Sequence, residues 1–128
     1  MTTGERAARG AAARRALGVY GEELAARHLV GQGMVLLDRN WRCAEGEIDL
    51  VLRDGAVLVF CEVKTRRGVS HGTPHEAVTP VKLDRLTRLA AAWQRERGVA
   101  VDQVRIDLVG VVRPLTGATQ VDHVRGLV

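Results

Sequence analysis

The chain has 128 residues, 46% of them hydrophobic and 27% charged, which suits a single folded domain and excludes a disordered or fibrous chain. No apolar run nears the roughly 20 residues that span a bilayer, and the start, MTTGERAARGAAARRA, carries arginines but not the apolar stretch of a secretory leader. A cytoplasmic protein with no membrane partner is therefore expected. The net charge of +4 is unevenly placed, since residues 1–17 hold four Arg against one Glu and residues 64–97 hold eight Lys or Arg against three acids. Such stretches suit a polyanion, nucleic acid above all, and equally a solvated basic surface. Cys43 and Cys61 form no Cys-x-x-Cys pair, so neither a disulfide nor a cysteine zinc site is expected.

Residues 1–15 lack apolar periodicity and read as a basic flexible tail or a frayed helix start. Leu17, Tyr20, Leu24, Ala25 and Leu29 then recur at helical spacing until Gly31 and Gly33, which predicts a first helix. Residues 35–37 predict a short strand that bends toward Trp41. Residues 47–52, an Asp54-Gly55 turn and residues 56–64 predict a β-hairpin, and the second strand is apolar on both faces, as a covered central strand would be. Residues 65–70 read as a basic loop. Thr73-Pro74-His75-Glu76 has the pattern of a capped helix start, Thr79-Pro80 restarts it, and Leu83, Leu86, Ala90 and Trp93 mark one apolar face that ends at Gly98. Residues 104–112 form a last core strand, and residues 121–124 an added edge strand. The result is an α/β domain over residues 16–113 in the order α-β-β-β-α-β, a mixed sheet flanked by helices, with 114–128 as a C-terminal extension.

Residues two apart in a strand share a face, so Glu62 pairs with Lys64 and Glu47 with Asp49. A two-residue turn at Asp54-Gly55 would set Glu62 beside Glu47, Lys64 beside Glu45 and Cys61 beside Ile48, whereas a bulge would bring Asp49 beside Glu62. Either register gathers at least two carboxylates at the end of two central strands. Acids so close in a partly buried sheet repel one another unless a cation or proton lies between them, and oxygen donors alone favour Mg²⁺ or Mn²⁺. A lysine two residues from such a carboxylate can stabilise charge developing on a phosphate. On the first helix, Glu22 borders the apolar stripe and can look toward the sheet, while Glu23 looks to water; Glu22 equally suits a surface acid near a helix start.

Asp49, twelve intervening residues and Glu62-Val63-Lys64 resemble the PD-(D/E)XK motif of the restriction-endonuclease-like superfamily, in particular its Holliday-junction-resolvase branch. The blocks Gly18-x-x-Gly21-Glu22-x-x-Ala25-x-x-x-Leu29, Asn40-x-Arg42, Gly46-Glu47-Ile48-Asp49-Leu50, Phe60-x-Glu62-Val63-Lys64-Thr65-Arg66, Lys82 and Arg105-x-Asp107 are similar to the YraN family of small bacterial proteins. The resemblance implies a restriction-endonuclease-like fold, Asp49 and Glu62 as metal ligands, Glu22 as the helix-borne glutamate of the site, Lys64 as the motif lysine and the Val63 carbonyl as a further ligand. Ile48 stands where the motif usually has proline. Glu47 and Asp107 recur in the family pattern without an implied role.

The activity implied is hydrolysis of DNA phosphodiester bonds with Mg²⁺ or Mn²⁺, on branched or flapped DNA because nothing suggests a sequence-reading element. Arg42, Arg66, Arg67 and Lys82 are the candidate phosphate contacts and would position the strand without reading it. DNA is favoured over RNA as partner, and the sequence is compatible with a homodimer. Two other readings stand beside this one: a nucleic-acid-binding module on the same fold without turnover, and an interaction protein whose charged cluster is structural. His28 reads as a core histidine on the helix face, Trp41 and Trp93 as packing residues, and His71, His75 and His123 as too scattered for a ligand set.

Overall fold

The computed structural model describes residues 1–68 and 78–127. Its elements are α1 (Thr3–Gly31), β1 (Val35–Cys43), β2 (Gly46–Asp54), β3 (Val57–Arg67), α2 (Pro80–Arg97), β4 (Val104–Arg113) and β5 (Gln120–Val124). The strands form one sheet in the order β1-β2-β3-β4-β5, antiparallel except for the parallel pair β3 and β4. A parallel pair needs a long crossover, and α2 lies within it. This is the expected mixed α/β order with the edge strand added. Among the described residues no helix is long and apolar enough to cross a membrane.

Three boundaries differ from the sequence reading. The basic tail is not separate from the first helix: α1 begins at Thr3, where Thr2 and Glu5 form a reciprocal capping box, and an alanine-rich stretch needs no apolar face to favour helix. The basic loop begins later than expected, because Thr65, Arg66 and Arg67 remain in β3 against Val111, Val112 and Arg113. The hairpin turn is Gly55-Ala56, with Asp54 still paired to Val57; Gly55 takes the left-handed backbone, φ 61°, and Arg105 holds the Asp54 carboxylate at 3.0 Å. The proposed helix start at 73–76, with His71 and His75, lies outside the described residues, while the restart at Pro80 with Thr79 as cap is present.

Each face of the sheet is covered by one helix. Ala25, Ala26 and Leu29 of α1 pack on Leu50, Leu52, Val59, Cys61, Val109 and Val111, and Leu86, Leu89, Ala90 and Trp93 of α2 pack on Ile48, Val51, Leu58, Phe60 and Ile106. Trp93 meets Phe60 edge to face and donates its indole N–H to Asp38 at 3.1 Å. Trp41 packs at the margin of this layer and donates to Glu96. Helix α1 lies so close on β3 that a Cβ on Gly21 would come within 1.7 Å of the Thr65 hydroxyl. Only glycine fits there, and the next residue is Glu22. His28 is half-buried rather than in the core, bonded to Gln32 and edge-on to His123.

Asp107 is fully buried. It accepts from Arg105 Nε at 2.8 Å, Arg105 Nη2 at 3.0 Å, His123 Nε2 at 2.8 Å and the Gly126 N–H at 3.0 Å, so β4, β5 and the C-terminal segment meet on one carboxylate. Burial alone would raise its pKa, but the bonds from Arg105, Gly126 and His123 outweigh burial and hold it below the usual carboxylate range. Removing one partner from a buried network leaves charges unpaired, so Asp107→Asn is expected to cost roughly 3–5 kcal/mol in urea unfolding at neutral pH. Because the folded pKa is depressed, this stabilisation is present above the unfolded carboxylate value and is lost as pH falls through the folded one. Equal urea midpoints of variant and wild type at pH 7 would disprove it.

Candidate active site

The β2–β3 ladder ends at Leu50 and Cys61. Beyond that point β2 continues along β1 and β3 along β4, so the sheet opens into a fork. One step past the last pair, Asp49 stands level with Glu62. Asp49 Oδ2 accepts the Val63 N–H at 2.7 Å, so a side chain satisfies an amide that a continuing β2 would have bonded through its backbone. The expected register with Glu47 beside Glu62 is therefore replaced by the alternative that places Asp49 there, and a shifted turn achieves it without a bulge in the hairpin.

The pleat also reverses at this level. Ile48 belongs to the α2 layer and Leu50 to the α1 layer, although residues two apart in a regular strand share a side. Across on β1, the residue between Arg39 and Trp41, whose partners are Leu50 and Ile48, is Asn40. It has φ 52° and is the non-glycine residue with left-handed backbone among those described. Its amide Nδ2 donates to Glu22 Oε2 at 2.8 Å and to Glu47 Oε1 at 3.2 Å. Asn40 thus ties the helix-borne glutamate to the strand acids. The sequence reading singled it out within a family block but gave it no role; an Asn inside a strand-forming run, a residue type that tolerates left-handed backbone, is the signal that could have suggested one.

Glu22, Glu47, Asp49 and Glu62 form one acidic group with little compensation. Arg42 pairs with Glu47 Oε2 at 3.1 Å while itself largely exposed. Glu62 Oε2 is buried and has no hydrogen-bond partner among the described residues. Asp49 is pushed up to about 7, first by burial and then by Glu22, Glu62 and Glu47, against the lowering effect of the Val63 N–H. Glu23, by contrast, faces outward to Arg27 and Arg39 at 3.1 and 3.0 Å.

Lys64 shares the face of Glu62 along β3, is half-buried and makes no ion pair among the described residues. Arg66 and Arg67 continue that strand to its end, and Lys82 lies in the first turn of α2 with its N–H capped by Thr79 at 3.2 Å. The fork therefore gathers Glu22, Asp49 and Glu62 and adds Glu47, which Arg42 meets. Among the described residues no three His, Cys, Asp or Glu side chains ring a single ion as they stand.

Residues 21–111 match the model of a family described as "Uncharacterised protein family UPF0102". The chain is 70% identical over 117 residues to a UPF0102 protein of Nocardioides sp. strain JS614, covering 91% of this chain and 94% of that one. It is 59% identical to a UPF0102 protein of Streptomyces coelicolor, covering 90% of each, and 50% identical to one of Acidothermus cellulolyticus, covering 91% of this chain and 96% of that one.

The raised Asp49 has a sign that can be measured. Between about pH 4 and its folded value near 7, the native state keeps a proton that the unfolded state has released, so stability falls as pH rises through that window. Asp49→Asn retains an acceptor for the Val63 N–H and removes the charge. Without divalent cations it is expected to be more stable than wild type at pH 8, on the order of 1–3 kcal/mol, and close to wild type at pH 4. A variant that melts below wild type at pH 8 would show that the carboxylate is not strained.

Proposed function

Because the chain belongs to UPF0102, the YraN family, whose motif blocks resemble the PD-(D/E)XK nucleases, we propose that it is a Mg²⁺- or Mn²⁺-dependent nuclease that hydrolyses DNA phosphodiester bonds, selecting branched or flapped structures. The observation that carries this reading is the Glu62 Oε2, buried and unpartnered among the described residues, beside an Asp49 carboxyl pushed up to about 7. Both mark a missing positive charge in the fork, and an all-oxygen donor set suits a hard divalent cation.

Asp49 and Glu62 would hold the ion, with Glu22 completing the set from α1. Bound there, the ion would supply charge neutralisation and Lewis-acid polarisation at a phosphate. The remaining work falls to this chain's own groups. Asp49 gives up its proton to act as a ligand, and the Val63 N–H keeps its carboxylate in the fork. Asn40 fixes Glu22 against rotation away from the sheet. The Lys64 ammonium stabilises the negative charge that builds on the phosphate oxygens in the transition state. Arg42, Arg66, Arg67 and Lys82 would contact the flanking phosphates.

A binding module on the same fold without turnover is the second reading. Incubation with single-stranded, duplex, flap, nicked and four-way DNA in each metal separates the two, since cleavage of none of them supports the binding module. Lys64→Ala is expected to lower single-turnover cleavage by roughly 10²–10³ with metal affinity retained. An unchanged rate would remove Lys64 from the chemistry. Mn²⁺ should raise the melting temperature of wild type and not of the Asp49→Asn, Glu62→Gln double variant, because an ion that binds only the native state stabilises it by mass action.

A further inference from the structure

Helix α1 is far longer than its seat on the sheet. Its buried residues are Gly21, Ala25, Ala26 and Leu29, yet it starts at Thr3. Two contacts fix its direction. Tyr20 lies under the Arg113 guanidinium at 5.1 Å, at the end of β4, while His28 meets His123, which pairs with Val109. Toward its N-terminus α1 therefore runs past the carboxyl ends of β3 and β4, where Arg67 and Arg113 are paired neighbours. At 1.5 Å per residue, Arg6 stands about 24 Å from Glu22 along the axis.

This projecting half has no apolar face. Residues 3–9 and 12–16 are exposed, and its one acid, Glu5, is engaged in the capping box. Arg6 reaches the Met1 carbonyl, and among the described residues Arg9, Arg14 and Arg15 pair with no carboxylate. A solvated spacer would be expected to carry both signs of charge; residues 3–16 present four arginines and use their one acid as a cap.

We infer that residues 3–16 of α1 form a basic arm that holds the phosphate backbone of nucleic acid leaving the fork, continuous with Arg66, Arg67 and Arg113. The inference rests on the nucleic-acid reading of the site and extends it with a footprint. At 3.4 Å per nucleotide along a duplex strand, the arm adds about seven nucleotides to what the fork itself can touch. The contacts are to phosphates, so they hold any sequence.

The test uses the full chain, EDTA in place of metal, and two labelled duplexes, one of about 30 base pairs and one of about 5 closed by a non-nucleotide linker, which at 3.4 Å per step is too short to reach from fork to arm tip. The variant is Arg6→Gln, Arg9→Gln, Arg14→Gln, Arg15→Gln, which keeps helix propensity, with circular dichroism to check that α1 persists. On the long duplex, the slope of log K against log salt should flatten by about 3.6, four contacts at roughly 0.9 each, and on the short duplex by less. Equal slopes for variant and wild type on the long duplex would overturn the arm and leave the site reading intact. A wild type that binds neither duplex even at low salt would overturn both. Loss of binding to phosphatidylserine vesicles with DNA binding unchanged would overturn the arm in favour of a membrane surface.

Discussion

The hydrogen-bond ladder between β2 and β3 ends at Leu50 and Cys61, and the placement of the acidic group depends on that end. Had the ladder continued, the Val63 N–H would be bonded to backbone and Asp49 would be an ordinary strand residue. Because it stops, two strand backbones part, a carboxylate enters the opening, and Glu62 is left with an oxygen that none of the described residues satisfies. The fork also needs α1 close above it. The Gly21–Thr65 contact sets that distance and delivers Glu22 to Asn40.

Two buried aspartates show how neighbours decide the state of one side-chain type. Asp107 receives a guanidinium, an imidazole and an amide, and its pKa falls despite burial; Asp49 receives one amide and three neighbouring acids, and its pKa rises. The first arrangement is complete in itself and joins β4, β5 and the C-terminal segment. The second is incomplete, and incompleteness of this kind costs stability unless something outside the chain compensates for it.

Much of this was legible in the residues. Alternation and turn composition predicted the hairpin, helical spacing predicted both helices, and the acids at 49 and 62 were expected to converge, as they do. What could not be read was set by contacts distant in sequence. The turn lies one residue later than expected, with Asp54 still in the ladder and held by Arg105, 51 positions away, a bond that no local rule contains. Asn40 reverses a pleat that alternation assumes to be regular. The tail was underrated because periodicity detects helices only through an apolar face, and the first half of α1 has none.

That single helix also has two lifetimes. From Gly21 to Leu29 its amides lie beneath the domain's own packing, and their exchange with solvent deuterium requires opening of that layer. From Thr3 to about Ala16 the same hydrogen bonds have only the capping box and local propensity behind them, and an isolated helix of this length is marginal in water. The boundary of protection falls inside an unbroken helix rather than at a loop. A ligand lying along the exposed half would move that boundary toward Thr3, and the molecule would report occupancy through exchange rates far from any acid of the fork.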